Sequence, residues 1–131
     1  EIYAHTVNIE AKTILDIFNT QILPAAFTQQ KKNAEALSLT KELLGSKHLK
    51  QQTQRLTDLT AAIEKGISLA NALESQRKKI EALTIEKQAF AFCDKIFPQI
   101  NALREVCDFL ETLVDDALWP LPKYRELMYL I

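Results

Sequence analysis

Apolar residues recur along most of this chain at intervals of three or four. Val7, Ala11, Ile14, Phe18, Ile22 and Ala25 set the beat. That is the period of an α-helix, not the period of two that a strand requires. The pattern predicts a first helix from about Thr6 to Leu44. Pro24 falls inside it. Proline lacks an N–H and its ring crowds the preceding turn, so a kink or a division is expected there. Gly45 suits a helix stop because glycine enters the left-handed conformation freely. Ser46 can then cap the next helix through its hydroxyl.

A second helix is predicted from near Lys47. Leu49, Gln52, Leu56, Leu59, Ile63, Gly66, Ala70, Leu73 and Ile80 form a heptad-like seam suited to nearly parallel axes. Gly66 lies in this seam, where the missing side chain would let another helix approach closely. A third seam runs through Ala89, Cys93, Ile96, Ile100, Leu103, Cys107, Leu110, Val114 and Ala117. Its phase differs from the second, so a break is expected near Ala82–Thr84, with Thr84 as N-cap. Pro98 is off the seam, where a local kink can be borne. Helices of comparable length with short connections alternate in direction. The expected fold is therefore all-α: an antiparallel up-down-up bundle of three long helices, the first kinked at Pro24, plus a short C-terminal helix. Residues 1–131 form one helical domain in this reading.

Composition narrows the functional classes. Two glycines and four prolines leave little material for hairpin turns. The 16 Lys and Arg nearly balance the 17 Asp and Glu, giving a net charge of −1. No broad basic field is available to hold nucleic acid. The runs Lys31-Lys32 and Arg77-Lys78-Lys79 are short and read as solvated helix faces. No apolar stretch approaches the ~18 residues needed to span a bilayer, and no secretory signal pattern opens the chain. Neither nucleic acid nor membrane is an expected partner. The chain opens on Glu1 without Met, so a piece of a longer polypeptide is expected.

Candidate chemistry is sparse. His5 and His48 lack acidic or cysteine partners at metal-ligand spacing. Cys93 and Cys107 are 14 residues apart, about 21 Å along one helix, too far for a disulfide. Both sit on the apolar stripe, so buried, inert thiols and a reducing, cytoplasmic setting are expected. Gly45-Ser46-Lys47 lacks the upstream glycine of a phosphate-binding loop. The acids Glu10, Asp16, Glu35, Glu42, Asp58, Glu64, Asp94, Glu105, Asp108 and Glu111 mostly lie off the seams. No Glu has a His three residues later, as a helical di-metal site would require. No catalytic, cofactor-binding or metal-binding residue is assigned.

The ending breaks the helical beat. Asp115 and Asp116 fall where a helix C-terminus disfavours negative charge, so they are expected to end the helix and cap a turn toward Trp119. Pro120 and Pro122 push Trp119 and Leu121 towards extended conformations. Pro122 suits the first turn of a final helix, Lys123 to Leu130. Trp119, Leu121, Tyr124, Leu127 and Met128 either close one end of the bundle or meet a partner.

This ending also carries a resemblance. Asp115, Asp116, Leu118, Trp119, Pro120, Leu121, Pro122, Tyr124, Arg125 and Glu126 resemble the C-terminus of type III glutamine synthetases. Ile9, Glu10, Ala11, Ile22, Leu23, Pro24 and Ala25 are similar to a second segment of that family. Pro98, Leu103, Arg104, Asp108, Leu110 and Glu111 are similar to a third. The middle, roughly residues 29–88, matches only as generic helix. The resemblance implies a parent enzyme that joins ammonia to glutamate through a γ-glutamyl phosphate, using ATP and Mg2+ or Mn2+. It implies a cytoplasmic homo-oligomer of hexameric rings, in which this part contacts the rest of its chain and neighbouring subunits. The family's catalytic residues lie upstream and have no matching position here, so the fragment alone is expected to be non-catalytic, with a structural, oligomerising or regulatory role. The competing expectation is an independent helical-bundle adaptor, which the seams support equally well.

Overall fold

The computed structural model describes the backbone of residues 2–123 and the side chains of residues 5–123. Three helices account for nearly all of it, and no strand occurs among the described residues. The first runs without a break through α1 (Ile2–Ile17), a π-helical turn (Phe18–Ile22) and α2 (Leu23–Leu44). The second is α3 (Lys50–Glu81). The third runs through α4 (Ile85–Ala91), a second π turn (Phe92–Ile96) and α5 (Phe97–Leu113). The expected final helix is not yet under way at Lys123. Tyr124 to Leu130 lie outside the described residues.

Pro24 does not divide the first helix, and the preceding π turn explains why. The Leu23 N–H bonds back to the Phe18 carbonyl, five residues earlier. The wider winding makes room for the Pro24 ring, which then occupies the first turn of α2, where an N–H is dispensable. The third helix repeats the device. The Phe97 N–H bonds to the Phe92 carbonyl and Pro98 follows at once.

The connections differ in detail from expectation. Gly45 ends α2 with φ 74°, as expected of a glycine stop. Ser46 does not cap the next helix. Its carbonyl instead accepts the Leu49 N–H at 3.3 Å, closing a turn, and α3 begins only at Lys50. Leu49 is buried as the plug of that turn. The second break falls where the phase change placed it, between Glu81 and Ile85. Thr84 precedes α4 in an extended conformation, but its hydroxyl makes no cap. Gln88 supplies the bonds instead. Its side-chain amide donates to the carbonyls of Leu83 (2.8 Å) and Glu81 (3.1 Å), satisfying the end of α3.

The core lies between the three helices. Phe18, Leu59, Ile63, Leu73, Ile80, Phe92, Ile96, Ile100, Leu103 and Leu110 are fully enclosed. Gly66 marks a close approach. A β-carbon there would lie 2.7 Å from Phe18 Cζ and 3.3 Å from Val106 Cγ1, so one residue of each helix meets at this point. The third seam needs two corrections: Ala117 is exposed, beyond the helix end at Leu113, and the other falls at Cys93. Cys93 is exposed and Ala91 and Phe92 are buried in its place, because the π turn rotates the chain away from the α-helical phase. In the second seam Gln52 is exposed and Leu56 only half-buried.

Candidate functional site

The features singled out from sequence converge at the end of the third helix. Leu113 is the last helical residue, and Val114 turns to an extended conformation. Asp115 then organises the turn. Its carboxylate accepts the Ala117 N–H at 2.9 Å, and its carbonyl accepts the N–H groups of Leu118 (2.9 Å) and Trp119 (3.0 Å). Its own N–H donates to Gln29 Oε1 on α2 at 2.9 Å. The acid thus ends the helix and shapes the turn toward Trp119, and Gln29 ties that turn to the first helix. The role of Gln29 has no signature in the sequence, since a lone glutamine on a helix reads as surface.

Asp116 takes a different partner. Its carboxylate lies 2.7 Å from Lys123 Nζ. That ammonium also donates to the Val114 carbonyl and sits 6.0 Å from the Trp119 ring centroid. Lys123 is almost wholly buried, a position a cation holds only with partners. Leu118, Trp119 and Leu121 are half-buried against the core. Trp119 and Leu121 border a hollow of about 260 Å³ with Ile22, Cys107 and Glu111. A larger hollow of about 520 Å³ opens beside Lys123, lined also by Gln29, Arg55 and Thr112. The Trp-Pro-Leu-Pro segment therefore packs on the bundle, with part of the indole left in contact with solvent.

The other candidates are scattered. His5 and His48 are exposed and far apart in the fold. Glu10 faces Arg104 at 3.8 Å, Glu35 faces Lys31 at 3.8 Å, and Asp58 accepts a bond from Gln54. Among the described residues no three of His, Cys, Asp and Glu come together as metal ligands. Cys107 is half-buried, and burial, with Asp108 beside it, pushes its thiol up to about 11. Such a thiol holds its proton at neutral pH and is a poor nucleophile. Arg77 is buried at the far end of the bundle, held by Glu74 at 2.6 Å and by Glu81. Lys12 and Asn8 of α1 also reach Glu81, so this cluster pins the start of the first helix to the end of the second.

A third hollow, of about 430 Å³, lies between α3 and α5 on another face. Ala61, Ala62, Val106 and the exposed ring of Phe109 line it, with Asp58, Lys65 and Glu105 around them.

Similarity to known proteins agrees with this inventory. A family model described as the glutamine synthetase C-terminal domain matches residues 1–41. The type-3 glutamine synthetase of Dictyostelium discoideum is 32% identical over an alignment covering 99% of this chain and 18% of that protein. The first 41 residues of the chain thus match the glutamine synthetase C-terminal domain, and nearly the whole chain is similar to part of a type-3 glutamine synthetase. A glutamine synthetase of Bacteroides fragilis is 28% identical over 98% of the chain and again 18% of its own length. The chain thus spans about a fifth of the curated glutamine synthetases it matches. Both alignments take in the Trp119 turn together with all three helices, well beyond the region that the family model matches.

Proposed function

We propose that this chain is the C-terminal helical part of a glutamine synthetase polypeptide whose remaining regions join ammonia to glutamate with ATP and a divalent cation. The observation that carries this reading is the alignment along 99% of the chain with a type-3 glutamine synthetase of which it spans 18%. In this reading the domain is non-catalytic and structural. It packs on the rest of its own chain and on neighbouring subunits of a cytoplasmic homo-oligomer. Its helices alternate in direction. Four cross-links support the alternation. Asn8 meets Glu81 and Gln30 meets Thr60, while Glu10 meets Arg104 and Gln29 meets Asp115. These contacts support a reading in which the first and second helices run oppositely and the first and third run together.

The test is isotopic glutamine formation. The 131-residue chain should form no glutamine from glutamate, ammonia and MgATP, while the polypeptide encoded by its full reading frame should. Synthesis by the chain alone would overturn the non-catalytic reading. A reading frame without glutamine-synthetase sequence upstream of Glu1 would favour the free-standing helical adaptor.

A further inference from the structure

The hollow between α3 and α5 carries groups that its own chain does not use. Its α3 wall is Asp58, Ala61, Ala62 and Lys65, a spacing of three, four and seven that sets four side chains on one helix face. Asp58, Ala61 and Lys65 are exposed. The α5 wall is Glu105, Val106 and Phe109, the last 47% exposed. Lys65 and Glu105 have no ion-pair partner among the described residues. Asp58 accepts a bond from the Gln54 amide at 2.8 Å. The described end of the chain keeps to another side of α5. Trp119, Leu121 and Pro122 lie with Cys107, Asp108 and Glu111, about 160° around that helix from Glu105, Val106 and Phe109.

The order of charges on α3 says what fits this face. Asp58 and Lys65 stand at equal distances on either side of the Ala61–Ala62 midpoint. About a two-fold axis through that midpoint, a second α3 lies antiparallel to the first. Asp58 of each copy then faces Lys65 of the other, and Ala61 faces Ala62. The same register, continued from Gln51 to Ala72, brings no two like charges together; Arg55 falls opposite Ser68 and Gln54 opposite Leu69. The face is therefore its own complement, as an isologous contact requires.

We infer that a second copy of this chain docks on this face, α3 against antiparallel α3, in a two-fold dimer. The inference rests on the subunit-contacting role proposed above and names its surface. The central alanines let the two helices approach to about 8 Å. The Phe109 rings, beside those alanines, lose their solvent near the axis. Each Lys65 lies between Glu105 of its own chain and Asp58 of the other.

The test is sedimentation velocity of the 131-residue chain, with circular dichroism to show that each variant is folded. The wild-type chain should dimerise at low salt, and 0.5 M salt should weaken the dimer about tenfold or more, since the paired charges are screened. D58K and K65D should each be monomeric alone, because each places like charges opposite one another at both contacts. An equimolar mixture of the two should form a heterodimer, and the double variant D58K/K65D should dimerise again by itself, since a lysine then meets an aspartate at every contact. A monomeric wild-type chain would overturn the inference while leaving intact the glutamine synthetase reading, which the isotopic assay tests separately. A dimer indifferent to both single reversals would overturn it too, as would a double variant that stays monomeric. Dimerisation only after removal of residues 124–131 would make that segment the occupant of the face instead.

Discussion

At Gly66 three helices approach more closely than a side chain permits. An added methyl would sit 2.7 Å from Phe18, whose ring is fully enclosed and backed by its neighbours. Alanine would gain about 1 kcal/mol in helix propensity, but overpacking costs about 1–3 kcal/mol. Gly66→Ala should therefore lower stability by roughly 1 kcal/mol net in urea unfolding; a variant more stable than wild type would mean that the helices can separate there. The glycine was visible in the sequence as an anomaly in an apolar seam. The two cysteines were not separable by that route, since both fall on one stripe. The structure parts them, and a thiol-specific reagent at neutral pH should modify Cys93 quickly and Cys107 slowly. The Cys107 shift also has a sign. Its folded value lies above the ordinary 9.0, so its contribution to stability is complete below pH 9.0 and is lost as pH rises towards about 11.

Among the elements, helix type and number were legible, because apolar periodicity is a long-range signal repeated over many turns. The exact ends were less so. Ser46 had the right chemistry for a cap, but the turn spent its carbonyl on Leu49 and delayed α3 to Lys50. The π turns leave no residue-type signature beyond the proline that follows each of them. The pin at the far end of the bundle was equally hidden, since Arg77 reads as part of a solvated basic run. Its guanidinium holds the Glu74 carboxyl below the ordinary 4.5, chiefly through the hydrogen bond between them. That contribution is present above pH 4.5 and is lost as pH falls through the lowered folded value. Arg77→Met should therefore destabilise most near neutrality, where it leaves Glu74 and Glu81 close together and charged. The deficit relative to wild type should shrink in acid, and thermal melts across pH 3–7 would read it; an equal deficit at all pH values would mean that the stem packing of Arg77 matters and its charge does not.

At the scale of the whole molecule, stability is unevenly spread. The enclosed residues concentrate where three helices overlap, while between Asn33 and Arg55 two helices pack on each other with Leu49 as the one fully buried apolar side chain described there. Regions with few buried contacts open locally at low cost. In dilute protein, amide hydrogen exchange should be slow along 59–80 and 96–110 and much faster along 33–55. Protection equal to the core would contradict this picture of a two-helix extension. The sequence could not announce this division, because the hairpin keeps the same periodicity as the core. Only the length of the third helix decides which turns of that seam are covered. The site at Trp119 was legible as a rigid turn, but Gln29 and Lys123, which hold it, became meaningful only once folding brought them beside Asp115 and Asp116.

The paired π turns also bear on what kinds of genetic change the chain tolerates. Each holds one residue more than an α-helical turn would, and everything downstream is set in phase with it. Loss of a single codon at Asn19 or Asp94 keeps the reading frame and leaves the downstream residues in phase, because the π turn becomes an α-helical one, yet it drives the following proline into a regular turn that its ring crowds. Loss of Ser46, in a connection, changes only a loop. Expressed side by side, the Ser46 deletion should stay soluble and helical, while deletions at Asn19 and Asp94 should aggregate or lose cooperative melting, although no enclosed side chain has been touched.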